Sequence, residues 1–228
     1  MHPFVQALQL HYDPYRNTEN AEYMKRYMKN QFPFLGVRAP ERKELLKSFL
    51  STRPKPLAAE LPIIIRSLWG LPEREFTYIA LDILEKNKKC LDSSFLPLLE
   101  EMIITNSWWD TVDYIASRLI GPIFSAHPDL IESFIHEWMH SENIWLQRTC
   151  ILFQLKYKEK TNETLLFSII EKLTDQKEFF IQKAIGWALR EYAKTNEASV
   201  LQFVKTHSLA PLSKREALKH IVQIDGTL

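Results

Sequence analysis

The sequence predicts an all-α fold, and three observations carry that prediction. Apolar residues recur at helical spacing along nearly the whole chain, while the alternation of a half-buried strand is hard to find. Five glycines in 228 residues are too few for the hairpins and turns of a β protein. Phe76, Trp109, Trp145 and Phe180 then recur at steps of 33, 36 and 35 residues, each near the start of a long helix followed by a shorter partner. That period is the mark of helical-hairpin repeats of HEAT or armadillo type, somewhat shorter than usual. The predicted architecture is a curved solenoid of HEAT-like repeats. The second helix of each pair would line a concave face suited to a long partner: a peptide, another protein or a duplex.

Helices are expected over about 2–12, 18–30, 40–52, 57–69, 72–88, 92–105 and 107–124. They continue over about 128–140, 142–158, 162–175, 177–195, 197–207 and 213–224. Breakers separate them at Pro33 and Gly36, Pro54 and Pro56, Pro72, Pro128, Asn162 and Pro211. Prolines also open helices, as in PERKELLK from Pro40 and PEREFTY from Pro72. A chain that is 46% hydrophobic and 25% charged fits one compact domain over 1–228. Net charge is only +1, so a surface for nucleic acid must come from segregated charge. Cys90 and Cys150 lack metal-like spacing and are expected to be buried free thiols in a reducing cytoplasm. No signal peptide is expected in MHPFVQALQLHYDPY, and no apolar run approaches a membrane span.

The stretch NSWWDTVDYIASR, from Asn106 to Arg118, holds the central question. Ser107 is a candidate N-cap. At 100° per residue Trp108, Trp109, Val112, Ala116, Leu119 and Ile120 form a core arc, and Asp113 falls about 140° from Trp108, just outside it. A carboxylate beside an indole at the rim of a core is either a salt-bridged structural group or one held in a low-dielectric groove to face a positive charge.

Two later helices add cations. In KEFFIQKAIGWALREYAK (177–194), Phe180, Ile181, Ala184, Ile185, Ala188, Leu189 and Tyr192 form the core arc. Trp187 lies outside it among Lys183, Arg190 and Lys194. Either the indole is packed by a neighbouring repeat with incidental cations around it, or ring and cations together face a nucleic acid backbone. In ENIWLQRTCILFQLKYK (142–158), apolar nearly all round, Arg148 is either an internal ion-pair residue or a guanidinium directed at a phosphate. Arg38, in the loop before a helix start, is also placed to meet a phosphate. Lys214, Arg215 and Lys219 read as an ordinary solvated face. His136-Glu137-Trp138-Met139-His140 matches the HExxH pattern of zinc proteases. Its histidines fall opposite the apolar arc of their helix, pointing to solvent without a fixed third ligand, so no metal is expected.

SWWDTVD (107–113), NIWLQR (143–148), the following LFQLKYK and EFFIQKAIGWALREYAKTN (178–196) resemble the AlkD-type DNA alkylation-repair glycosylases, a HEAT-like-repeat family. The resemblance runs from FVQALQ at Phe4 to LSKREALKH at His220. It implies excision of cationic N3- and N7-alkylated purines, such as 3-methyladenine and 7-methylguanine, from duplex DNA. The family's functional residues map onto Asp113, Trp109, Trp187 and Arg148, and HEWMH is not part of its pattern. Asp113, Trp109 and Trp187 are then the expected catalytic residues. The DNA contacts would come from Arg148, Lys183, Arg190, Lys194, Lys156, Arg38 and Tyr27. No cofactor is implied, because a cationic purine departs without a general acid. The implied state is a cytoplasmic monomer, nucleoid-associated when on DNA. Two other classes fit a helical repeat: a non-catalytic DNA-binding module, which would show no base release, and a protein scaffold, which would have no need of Asp113.

Overall fold

The protein is described here from a computed structural model covering residues 2–54 and 56–221. The described residues are helical with no strand, and their contacts divide them into two compact units, Met1–Leu91 and Asp92–Leu228.

The first unit comprises α1 (Pro3–Tyr12), α2 (Thr18–Tyr27), α3 (Ala39–Ser51), α4 (Leu61–Trp69) and α5 (Arg74–Lys86). His2 caps α1 by accepting from Phe4 N, and Asn17 caps α2 by accepting from Asn20 N at 2.9 Å. Pro3, Pro40 and Pro62 occupy first-turn positions, where a missing N–H costs nothing. The core is formed by Val5, Leu8, Phe49, Ile64, Ile65, Leu68, Ile79 and Ile83, all buried. Cys90, in the 3-10 turn after α5, is exposed, contrary to the sequence expectation. The chain leaves α5 at Lys86, and Cys90 closes a short turn beside Lys88 and Lys89 instead of facing the core.

A carboxylate organises this unit's longest loop. Glu75 is wholly buried in the first turn of α5 and accepts from Leu35 N at 2.9 Å, Gly36 N at 2.9 Å and Val37 N at 3.1 Å. Burial pushes its carboxyl above the usual range, and the three backbone donors pull it back toward the ionised form. Gly36 has φ +89°, and a Cβ there would meet Asn17 O at 1.9 Å, so only glycine fits. Arg74 supports the same loop, its guanidinium 3.9 Å from the centroid of the Phe32 ring.

The second unit comprises α6 (Leu96–Ile104), α7 (Trp109–Tyr114), α8 (Gly121–Ala126), α9 (Ile131–His140) and α10 (Ile144–Leu152). α11 (Glu163–Glu171), α12 (Phe179–Ala193), α13 (Glu197–Thr206) and α14 (Pro211–Leu218) complete it. α7 packs on α10 and α10 on α12, so the helices opening on Trp109, Trp145 and Phe180 stack in series, as the repeat period implies. Asn143, Asn162 and Asn196 cap α10, α11 and α13. From Leu146 to Leu152 every residue of α10 is buried, as its all-round apolar character requires.

Four local expectations change. Ser107 is no N-cap: its hydroxyl donates back to Ile103 O at 2.6 Å, closing the end of α6, and Trp108 takes the cap position with no side-chain bond. The helix expected over 107–124 is divided by a π turn, Ile115–Ile120, in which Gly121 N donates to Ala116 O five residues back. Pro122 follows, a residue that lacks an N–H and crowds the carbonyl four before it, so a widened turn just ahead relieves the backbone. The chain expected as helix over 142–158 leaves α10 after Leu152, and the cationic tail LKYK lies beyond it. The last helix, expected over 213–224, is described from Pro211 to Leu218, and positions 222–224 lie outside the described residues.

Replacing Glu75 by Gln keeps the shape but turns one acceptor into a donor facing backbone N–H groups. Glu75→Gln should lower unfolding free energy by about 1–3 kcal/mol in urea titration, and Gly36→Ala should cost more. Equal stability of Glu75→Gln and wild type would show that the loop does not depend on this carboxylate.

Candidate functional site

α7, α10, α12 and α14 together line a cleft of about 440 Å³. Trp109 and Asp113, one turn apart on α7, stand on one side with Arg148 of α10. α12 contributes Phe179, Phe180, Lys183, Trp187 and Arg190, and α14 contributes Glu216. Lys183, Trp187 and Arg190 are four and three residues apart, so helical phase alone puts them on one stripe. At the cleft wall, Phe180 packs with Trp108 and Trp145 as a ring cluster, with centroids 5.0 Å apart for Trp108–Phe180 and for Trp145–Phe180. The doubled tryptophan thereby divides its labour: Trp108 packs, and Trp109 lines the opening.

Asp113 and Arg148 form a bidentate pair. Arg148 Nε donates to Oδ1 at 2.7 Å and Nη2 donates to Oδ2 at 2.8 Å, while Nη1 donates to the Phe180 carbonyl. The Arg148 side chain is 5% exposed and that of Asp113 is 13% exposed, so the carboxylate is the member nearer solvent. Burial pushes the Asp113 carboxyl above its ordinary range, and the Arg148 bonds and charge act against that shift. Of the two roles open for Arg148 on sequence, the internal ion pair is the one it occupies in this structure.

The second charge cluster is at the other side of the cleft. Lys183 Nζ donates to Glu216 Oε1 at 2.8 Å and Arg190 Nη1 to Glu216 Oε2 at 2.8 Å. Lys183 also lies 5.9 Å from the centroid of the Phe179 ring. α14 reaches this position because Gly186, in mid-α12, has no side chain: a Cβ there would come within 2.5 Å of Glu216 Cβ and 2.8 Å of Ser213 O. Sequence reasoning missed Glu216 and Phe179. A glycine inside a long helix was the available signal, since it costs about 1 kcal/mol against alanine and marks a close approach.

The remaining candidates lie elsewhere. Lys194 pairs with Glu191 at 2.5 Å and lines a different cavity, of about 230 Å³, so the cations beside Trp187 in the cleft are Lys183 and Arg190. Lys156 is exposed in the turn beyond α10. Arg38 and Tyr27 belong to the first unit, where Arg38 Nη2 donates to Asn20 Oδ1 at 2.8 Å and Tyr27 is 65% exposed. His136 and His140 are exposed on α9 with ring centroids 4.4 Å apart, and His140 Nδ1 lies 2.7 Å from His136 O. Among the described residues no group of three or more His, Cys, Asp or Glu is placed to hold a metal. No helix there is long and apolar enough to cross a membrane.

The Asp113–Arg148 geometry generates a stability prediction. Removing one member leaves the other buried and uncompensated, so Arg148→Met should destabilise the protein by about 3 kcal/mol. The double variant with Asp113→Asn should recover at least about 1 kcal/mol of that loss. Additive losses in thermal or denaturant unfolding would mean the pair is not energetically coupled.

A sequence model for the family described as "DNA alkylation repair enzyme" matches residues 8–221. Among solved structures, the chain is similar to a predicted DNA alkylation repair enzyme from Enterococcus faecalis. The two share 36% identity at a TM-score of 0.82, over 91% of this chain and 97% of the other. No functionally curated protein matches. The sequence match spans both compact units and includes every cleft residue, and the structural likeness covers nearly the whole of both chains: the protein belongs to the DNA alkylation repair enzyme family.

Proposed function

We propose that the protein is a DNA glycosylase that hydrolyses the N-glycosidic bond of cationic N3- and N7-alkylated purines in duplex DNA. One observation carries this reading: a largely buried carboxylate, Asp113, lines an open cleft together with Trp109 and Trp187 and is locked by Arg148. An alkylated purine of this kind already bears a positive charge. When the bond breaks, its electron pair leaves with the base, the base departs neutral, and the charge passes to an oxocarbenium-like deoxyribose. Water then adds at the anomeric carbon and gives its proton to Asp113 or to solvent.

Asp113 stabilises that sugar cation. At about 4 Å and an effective dielectric near 20, a carboxylate contributes about 4 kcal/mol. The Arg148 charge, about twice as far from the sugar, opposes it by about 2 kcal/mol. The surplus of about 2 kcal/mol corresponds to roughly a thirtyfold gain in rate. Arg148 reduces the field yet favours the ionised carboxyl, acting against the upward shift that burial imposes. It is a positioning residue in this scheme. The Trp109 and Trp187 faces each add about 0.5–2 kcal/mol of ring–cation attraction and hold the sugar.

Asp113→Asn should lower single-turnover release of 7-methylguanine from a methylated duplex at least tenfold while duplex affinity stays within about threefold. Unchanged excision removes Asp113 from the mechanism, and absence of free methylpurine from wild-type reactions removes the glycosylase reading. The active form is the ionised carboxylate and its pKa is raised, so excision should be lost as pH falls through a limb above the ordinary Asp value of 3.8. In Arg148→Lys, which keeps a cation but loses the bidentate fork, that limb should move to higher pH. A limb that stays in place in this variant would show that Arg148 does not tune Asp113.

The cleft groups suit a sugar and backbone more than a base edge, so selectivity should follow leaving-group charge. Matched duplexes should show excision of 3-methyladenine and 7-methylguanine, tolerance of bulky cationic adducts, and no release of uracil, hypoxanthine or 8-oxoguanine. These rates should be insensitive to excess chelator and to the His136→Ala/His140→Ala double substitution. Efficient release of a neutral base, or loss of activity that zinc restores, would each overturn that account.

A further inference from the structure

Lys183 and Arg190 do not face the cleft as open cations. Each ends on a different oxygen of one carboxylate, at 2.8 Å in both cases. We propose that Glu216 is a positioning residue for DNA engagement, an internal stand-in for a backbone phosphate that occupies Lys183 and Arg190 in the free protein and weakens duplex binding by about one phosphate contact. The inference rests on the duplex-DNA part of the function proposed above.

Three observations support it. A carboxylate bound through both oxygens by two converging cations has the charge and the paired acceptors of a phosphodiester, the ligand such cations would otherwise take. The cluster is at the rim, with side chains of Lys183, Arg190 and Glu216 exposed by 36%, 21% and 17%, so an incoming phosphate can reach it and water screens the exchange. By contrast Arg148 is 5% exposed, with its fork filled by Asp113 and its remaining amino group on the Phe180 carbonyl. Finally, the backbone of Glu216 cannot withdraw. α14 is pressed onto α12 at Gly186, and Ser213 Oγ donates to Gln182 O at 2.9 Å, so the charge of Glu216 stays near the cations after they turn to DNA. Lys183 first, and Arg190 with it, hold the Glu216 carboxyl below the usual glutamate range, so it is anionic at any ordinary assay pH.

With Glu216 present, the cleft sets three cations against two carboxylates. Removing its charge raises the net positive charge offered to DNA by one. Binding of an unmodified fluorescent duplex to Glu216→Gln should therefore show a log Kd against log salt slope steeper by about 0.9 than that of wild type. Extrapolated from 1 M, the same slope predicts about eightfold tighter binding at 0.1 M salt. Glu216→Ala is the second variant: it keeps the Cβ that contacts α12 and is a strong helix former, so it should fold even if the glutamine variant does not. Its slope should change by the same amount, with thermal unfolding run alongside. An unchanged slope in a folded variant would mean that Glu216 only fastens α14 to α12. Weaker binding would mean that the cations depend on Glu216 for their placement, and either result overturns the proposal. Wild-type protein that fails to bind duplex at low salt would instead overturn the proposed function itself.

Discussion

The Asp113–Arg148 pair is the constraint on which the rest of the second unit depends. A carboxylate at this depth is tolerable only with a partner, and a guanidinium deeper still is tolerable only with a filled fork. The pair fixes more than its own two side chains. Arg148 reaches from α10 to Asp113 on α7 and to the Phe180 carbonyl on α12, so one guanidinium ties together three helices from successive repeats. The half-buried rings of Trp108, Trp145 and Phe180 pack against one another across the same three helices. Packing and electrostatics are therefore one arrangement here, and the catalytic carboxylate proposed for this site is held by the same contacts that align the repeats.

A near-neutral composition conceals how the charges are distributed. The cations of the cleft are matched against carboxylates from other helices, α7 for Arg148 and α14 for Lys183 and Arg190. Such pairing lets a basic face exist without the self-repulsion that a bare cluster would impose on the folded state. The two pairs differ in depth, and depth decides character. The buried one is expensive to break, whereas the rim one is screened by water and costs less to open.

Much of this was legible in the sequence, because helical phase is a local property. The repeat of aromatic starts located the stacked helices, and 100° arithmetic put Asp113 on a rim and Trp187 on a face with Lys183 and Arg190. What the arithmetic could not deliver was the partner. Whether Arg148 meets a carboxylate or a phosphate, and whether Glu216 joins Lys183, depends on which helix lies opposite, a tertiary fact that no window of 18 residues contains. Local failures had local causes. Ser107 had the composition of an N-cap, but its hydroxyl donates to Ile103 O at the end of α6, and the cap position falls one residue later at Trp108. Lys194 shares a helical stripe with Lys183, yet it stands at the C-cap, where the helix ends and its side chain meets Glu191. Trp109 shares a repeat position with Phe76, Trp145 and Phe180, and it is the neighbouring Trp108 that meets the Trp145 and Phe180 rings while Trp109 lines the cleft.

The loop held by Glu75 has a consequence for binding entropy. Leu35, Gly36 and Val37 each spend an amide on one buried carboxylate, and Arg38 follows directly at the N-cap of α3. Ordering a loop residue on ligand binding ordinarily costs about 1–2 kcal/mol of backbone freedom. Here folding has already met that cost, so the backbone beneath Arg38 would have little left to lose if its side chain bound an anion. A charge presented on so rigid a mount gains affinity through what it need not surrender.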